Sequence, residues 1–343
     1  MKSLPERFSW RVYVLFAAAL TAAMLLCICV GSVSIPLGNT LTALWHTLWK
    51  MEVPAGISKN IILNVRLPRV INVALIGASL SLCGAAMQGL LRNPLADGST
   101  LGVSSGASLG AVISLAFGVS IPGVEYGGTI LMAMGFAFLS LILILSLAYA
   151  LDRSMSTNSI ILIGVIFSMF TSSAMNLIIT FAGDHAKTIA FWTMGSLSGT
   201  GFHHAAILSS ALLICGGVIL RYARELNAFA IGEDNARHIG VNVRQVKLII
   251  LIMVSVLIGV CVSIGGTISF VGLVMPHMTR MIVGPNHKRL LVSSMFSGAI
   301  FLLLADLAAR TLLSPIELSI GVVTSLVGAI AFVVIFYRTR KAR

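Results

Sequence analysis

Charge is scarce in this chain of 343 residues: Asp, Glu, Lys and Arg make up only 10% of it, and acids number just 11. A water-soluble globule of this size needs a charged, hydrated surface, so the shortage excludes one. Long polar stretches are missing too. The longest, 221–243, is about 23 residues, too short for a soluble domain beside the apolar runs. No GxxxxGK[ST] occurs, so the chain has no P-loop with which to hydrolyse ATP in that manner. No nucleophile stands next to a base outside the apolar runs, which argues against an enzyme. The five cysteines, Cys27, Cys29, Cys83, Cys215 and Cys261, all lie inside apolar runs. They read as small buried apolar residues, not as a disulfide framework or a zinc site.

What is present is hydrophobic: 57% of residues are apolar and the mean hydropathy is +1.00. A membrane-crossing helix takes about 20 such residues. The pattern predicts an all-α membrane protein with ten spans, roughly 12–33, 67–91, 95–118, 128–150, 158–181, 202–220, 244–262, 268–283, 290–311 and 319–337. Of these, 95–118 is rich in Gly and Ser, and 268–283 is short. The first run is read as a retained span, since no small-residue cleavage site follows it. With no low-complexity linker, residues 1–343 form one transmembrane domain. The net charge of +12 is not gathered into a stripe, so it does not call for nucleic acid. With both termini in the cytoplasm, the inner segments collect Lys2, Arg7, Arg11, Arg92, Arg153, Arg221, Arg224, Arg237, Arg244, Lys247, Arg280, Lys288, Arg289, Arg338, Arg340, Lys341 and Arg343, as the positive-inside rule expects.

The most informative stretch is 66–110. An Arg-x-x-Pro-Arg start leads into an apolar run that breaks at Asn93-Pro94 and continues as a glycine-serine ladder. Backbone broken at membrane depth must be satisfied by protein or water, which suits a pathway better than an anchor. A second punctuated span, 265–280, sits at a comparable place in the other half, the trace of an inverted repeat. Gly102, Gly106 and Gly110 recur every four residues, as helix packing requires, and the same face could line a path. In 221–243, Ala228, Gly232, Ala236 and Gly240 share that spacing and would give a smooth face if helical. The cost of glycine in a helix predicts a break near Gly232 into two short helices. Ser156, Thr157 and Asn158 precede an apolar run and suit either a helix cap or a gate. Arg66, Arg69 and Arg310 lie at the opposite side of the membrane from 221–243, either snorkelling or meeting a partner, with Asp306 one turn before Arg310 to hold it. His277 has no second ligand at helical spacing; it reads as a polar anchor, and no metal site is expected.

Leu67-Pro68-Arg69, Gly84, Met87-Gln88, Asn93-Pro94-Leu95-Ala96 and Leu101-Gly102-Val103-Ser104-Ser105-Gly106-Ala107 resemble the FecCD-type permeases of ABC importers, which carry iron-siderophores, haem and vitamin B12. A second block agrees: Gly266, Ile268, Phe270-Val271-Gly272-Leu273, Pro276-His277, Arg280, Gly284, His287, Asp306 and Arg310. The resemblance spans most of 60–338. It implies a vitamin B12 importer-like (type II) permease fold of about ten helices, in a bacterial cytoplasmic membrane. It further implies a homodimer served by two ATPase subunits, an extracytoplasmic solute-binding protein and a metal-chelate substrate, most often a ferric siderophore. ATP and Mg would belong to the ATPase, with no cofactor in this chain. By the same resemblance, Arg66, Arg69 and Arg310 dock the binding protein. Asn93, Leu95, Ser156, Thr157 and Asn158 form a cytoplasmic gate, and Ala228, Gly232, Ala236 and Gly240 mark the segment coupled to the ATPase. Ser319 and Ile330 stand where the family often has proline, which predicts a straighter last helix. An ion-coupled secondary transporter is the alternative from another class. It would need intramembrane acids, and Asp306 alone lies deep in a predicted span.

Overall fold

A bilayer offers the backbone no hydrogen-bonding water, so a chain this apolar satisfies itself by coiling into helices. The computed structural model describes residues 10–31, 35–49, 51, 59–122, 127–153, 156–314 and 316–341. Lys2, Arg7, Arg343 and the end of the first predicted span fall outside them. Fourteen helices account for the described chain: α1 Trp10–Cys29, α2 Leu37–Leu48, α3 Ile61–Leu90, α4 Val103–Phe117, α5 Gly127–Leu151, α6 Thr157–Phe181, α7 Ala186–Thr193, α8 Phe202–Arg221, α9 Ala223–Phe229, α10 Glu233–His238, α11 Val243–Gly265, α12 Val271–Val283, α13 His287–Thr311 and α14 Ile320–Lys341. No strand occurs among the described residues.

Seven of these helices are long and apolar enough to cross a membrane, and α4, α12 and α14 contain shorter apolar stretches. Together they correspond to the ten predicted spans, with two boundaries corrected. Residues 95–102 are not helical membrane span: Pro94 leads into turns and a short 3-10 turn, Gly98–Leu101, and Gly102 (φ 74°) starts α4 in the left-handed region. Likewise α12 starts at Val271, after Gly266 (φ 68°) and Phe270 (φ 69°) have turned the chain. A left-handed residue cannot continue a right-handed helix, so both spans are short. The sequence reading also passed over α2 and α7, which are too short to register as spans. The last helix, α14, runs unbroken to Lys341.

The architecture is organised on α3, most of whose length is buried. Its N-terminal half, named outer (and the other half inner) after the topology expected from the basic residues, contributes Ile62, Val70, Val73 and Ile76 to one core, shared with Cys27, Leu302 and Leu303. Its inner half contributes Leu82, Met87 and Leu90 to another, shared with Phe229, Leu257 and Leu290. Two glycines let neighbouring backbones reach it. A Cβ on Gly77 would lie 2.4 Å from the Gly298 carbonyl of α13, and one on Gly84 only 1.8 Å from the Gly272 carbonyl of α12. Gln88 seals the second crossing, donating from Nε2 to the Gly272 and Leu273 carbonyls at 3.3 and 3.0 Å.

Gly84→Val therefore forces α3 and α12 apart. Its thermal midpoint in detergent is expected to fall by an amount equivalent to about 1–3 kcal/mol or more. Gly135→Ala, which adds a Cβ with no heavy atom within 4 Å, is expected to hold or gain stability. Equal midpoints for the two variants would contradict this account of the crossing.

Candidate functional site

The two ends of α3 carry the polar chemistry. Arg69 and Gly89 are about 30 Å apart at 1.5 Å per residue, enough to separate the faces of a bilayer.

At the outer end, α1 stops at Cys29 and leaves its last carbonyls without helical partners. Two arginines from other helices take them. Arg66 Nη1 donates to the Ile28 and Cys29 carbonyls at 2.7 and 2.9 Å, and Arg310 donates to those of Cys27 and Val30 at 3.1 and 3.3 Å. Beneath them, Asp306 Oδ1 accepts Nε and Nη2 of Arg69 at 3.1 and 3.0 Å. Asp306 Oδ2 lies 2.9 Å from Nε of Arg310, an ion pair off line for a hydrogen bond. The remaining Arg69 nitrogen, Nη1, pairs with Glu317 Oε2 at 2.9 Å. Asp306 thus holds Arg310 across one turn, and it holds Arg69 as well. The arginines do not snorkel: Arg66, Arg69 and Arg310 are 5, 9 and 4% exposed and turn inward. Glu317 is a member of this cluster that the sequence reading missed, although an acid before the last apolar run was a visible signal.

At the inner end, Asn93 Oδ1 accepts the Leu95 N–H at 2.9 Å, folding the chain around Pro94 and leaving Leu95 half exposed. Ser156 caps α6 by accepting the Ser159 N–H at 3.3 Å, supported by Asp152. Thr157 Oγ1 donates to Glu233 Oε1 on α10 at 3.3 Å, and Asn158 is exposed. Among the described residues, no hydrogen bond joins Asn93 to 156–158.

The 221–243 segment breaks where expected, at Gly232 (φ 115°), into α9 and α10. The smooth-face expectation is corrected, however. Ala228 and Ala236 are buried, while Gly232 and Gly240 (φ 89°) occupy turns whose backbone favours glycine. What the segment presents instead is Ile231 and Ile239, 58 and 64% exposed, which the sequence reading did not single out. The segment is tied down on three sides. Thr157 reaches Glu233 from α6, Lys247 Nζ of α11 pairs with the same Glu233 oxygen at 2.7 Å, and Asn227 Oδ1 accepts the His287 N–H of α13 at 2.8 Å.

Between the ends, Gly106 and Gly110 pack α4 on α5: added Cβ atoms would meet Ser140 Oγ at 2.4 Å and the Met132 carbonyl at 2.3 Å. Gly102 is the left-handed start of the helix and is also closely packed, since a Cβ there would lie 3.0 Å from the Gly164 carbonyl of α6 and 3.1 Å from Ile144 of α5. The neighbouring Ser104, Ser105 and Ser108 line a cavity of about 320 Å³ with Asp97, Ser172, Thr267 and Ser269. A second cavity, about 520 Å³, lies near the outer cluster and is lined by Trp192, Ser196, Thr200, His204, Glu317 and Ser319.

The FecCD transport family matches residues 19–338. An uncharacterized ABC transporter permease protein, YvrB, of Bacillus subtilis (strain 168) is 41% identical over 97% of this chain and 95% of its own. The hemin transport system permease protein HmuU of Yersinia pestis is 35% identical over 89% and 91%. A solved structure described as an inward-facing conformation of a metal-chelate type ABC transporter superposes with a TM-score of 0.84. It has 28% identity and covers 96% of this chain and all of that one.

Asp306→Asn leaves two buried guanidiniums without their shared carboxylate. The loss expected is about 3–5 kcal/mol, the cost of breaking a buried pair by removing one partner. Thermal unfolding of the purified chain checks this, and a midpoint unchanged from wild type would show that the cluster does not hold the helices.

Proposed function

The chain belongs to the FecCD transport family, and from that premise we propose that it is the permease subunit of a binding-protein-dependent ABC importer. Its cargo is a metal chelate, a ferric siderophore first, moved across the bacterial inner membrane by ATP-driven alternating access. It is a component of a transporter, not an enzyme. A second copy completes the path, two ATPase subunits bind ATP and Mg, and a solute-binding protein delivers the chelate to the outer face through Arg66, Arg69 and Arg310. Both termini lie in the cytoplasm.

The observation that carries this reading is the inner segment α9–α10. It presents Ile231 and Ile239, in the turns on either side of α10, as apolar contacts for a partner's groove, and meets α6 and α11 through the single carboxylate of Glu233. A push on α10 from an ATPase reaches the start of α6 directly, where Ser156, Thr157 and Asn158 stand, with Asn93 and Leu95 as the other half of the gate. Rigid-body shifts of packed helices then change which side is open. Hydroxyls and apolar groups dominate the cavity of about 320 Å³, and one carboxylate is its sole ionisable side chain. Such a lining suits a large chelate held loosely. Haem is the second reading of the cargo, favoured by the likeness to a hemin permease.

The test is uptake into proteoliposomes holding the chain with its ATPase, supplied with the binding protein and a ferric siderophore, haem or cobalamin. Uptake of one chelate is expected, lost without ATP or binding protein. Gly232→Trp is expected to cut it at least tenfold while leaving the chain folded. Uptake by the chain alone on an ion gradient would instead make it a secondary transporter.

A further inference from the structure

If the outer arginines meet an acidic partner, they are in the wrong state to do so: all three guanidiniums are buried and bonded. Their partners differ in one respect. The α1 carbonyls are part of a helix end, and the side chain of Asp306 is 1% exposed, whereas that of Glu317 is 35% exposed. Glu317 also stands outside regular structure, ahead of α14, where the Leu318 N–H reaches back to the Ala309 carbonyl at 2.9 Å. Of the two carboxylates holding the arginines, it is the one that water and a second protein can reach. Leu312, Leu313 and Ile316 beside it are 66, 57 and 69% exposed, so charge here sits next to apolar surface, as at the rim of a protein interface.

We infer that Glu317 is a placeholder carboxylate: it holds Arg69 Nη1 at rest and yields that nitrogen to an acidic side chain of the docking solute-binding protein. The inference rests on the docking reading given above. Asp306 and Glu317 between them balance Arg69 and Arg310, so an acid brought by the solute-binding protein competes with the exposed one of these two carboxylates. The exchange itself replaces one carboxylate with another, so the buried Arg69 is never left unpaired, the condition that makes such clusters costly. The displaced Glu317 has somewhere to go, because it already lines the outer cavity with the hydroxyls of Ser196, Thr200 and Ser319. Docking therefore adds a negative charge to the mouth of that cavity.

The experiment titrates the binding protein onto the full chain with its ATPase in nanodiscs at fixed ionic strength. Glu317→Gln and Glu317→Asp are compared with wild type. Glu317→Gln removes the competitor; Glu317→Asp keeps the charge but is one methylene too short to reach Nη1. Both are expected to tighten docking about tenfold, equivalent to about 1.4 kcal/mol, and Arg69→Ala in either background is expected to abolish the gain. Unchanged or weaker docking in both variants overturns the inference. A gain in Glu317→Gln alone also overturns it, since long-range charge and not the contact would then be responsible. Docking of wild type that does not respond to Arg66, Arg69 or Arg310 substitutions would sink the docking reading itself, a separate result from either.

Discussion

Two backbones can lie directly against α3 only because Gly77, Gly84, Gly272 and Gly298 have no side chains where the helices cross. In water, apolar faces are driven together whatever their shape. In lipid that drive is absent, and helices associate through close packing and the hydrogen bonds they can share. The α3–α12–α13 contact is thus what fixes the rest. It places Gln88 over the Gly272 and Leu273 carbonyls, sets Asp306 beside Arg69, and brings His287 against Gly89, where even a Cβ would lie 2.3 Å from the imidazole Nε2.

The arginines then solve a problem of termination. A helix that ends in or near hydrocarbon has carbonyls with nothing to accept from, and Arg66 and Arg310 supply the donors for α1. Guanidiniums suit this because they carry several N–H groups in fixed directions. Arg69 uses three of its nitrogens on two carboxylates, and Arg310 divides its own between Asp306 and the α1 carbonyls. The inner end is built differently, from one carboxylate on a short helix shared by Thr157 and the buried ammonium of Lys247. The outer cluster is set deep, whereas the inner segment is held by three ties, two of them through Glu233.

Much of this was legible from residue order. Hydropathy located the spans because lipid imposes a length on them, and Asn93-Pro94 and the Gly265–Gly266 pair marked the breaks through their effect on the backbone. The split of 221–243 at Gly232 followed from the cost of glycine in a helix. What could not be read were relations across the fold. Arg66 donates to main-chain carbonyls, which leave no trace in sequence, so its inward turn was hidden. Spacing alone grouped Ala228 and Ala236 with Gly232 and Gly240, yet a four-residue period cannot tell a buried face from turn positions once the helix is broken. For Gly102, spacing showed the close packing but not the left-handed φ that also makes it the cap of α4. Glu317 escaped because a single acid outside the spans resembles ordinary surface until Arg69 is seen beside it.

The manner in which α1 is held has a consequence for biogenesis. Little of this helix is buried, and the end that is secured depends on Arg310, which hydrogen-bonds the Cys27 carbonyl across 283 residues of chain. Chains are made from the amino terminus, so the first span enters the bilayer long before the residue that fastens it exists. Until α13 arrives, the outer end of α1 lacks the donors of Arg310. A fastening of α1 is thus supplied by a residue near the far end of the chain, and a chain that stalls before α13 would leave the Cys27 and Val30 carbonyls without their arginine.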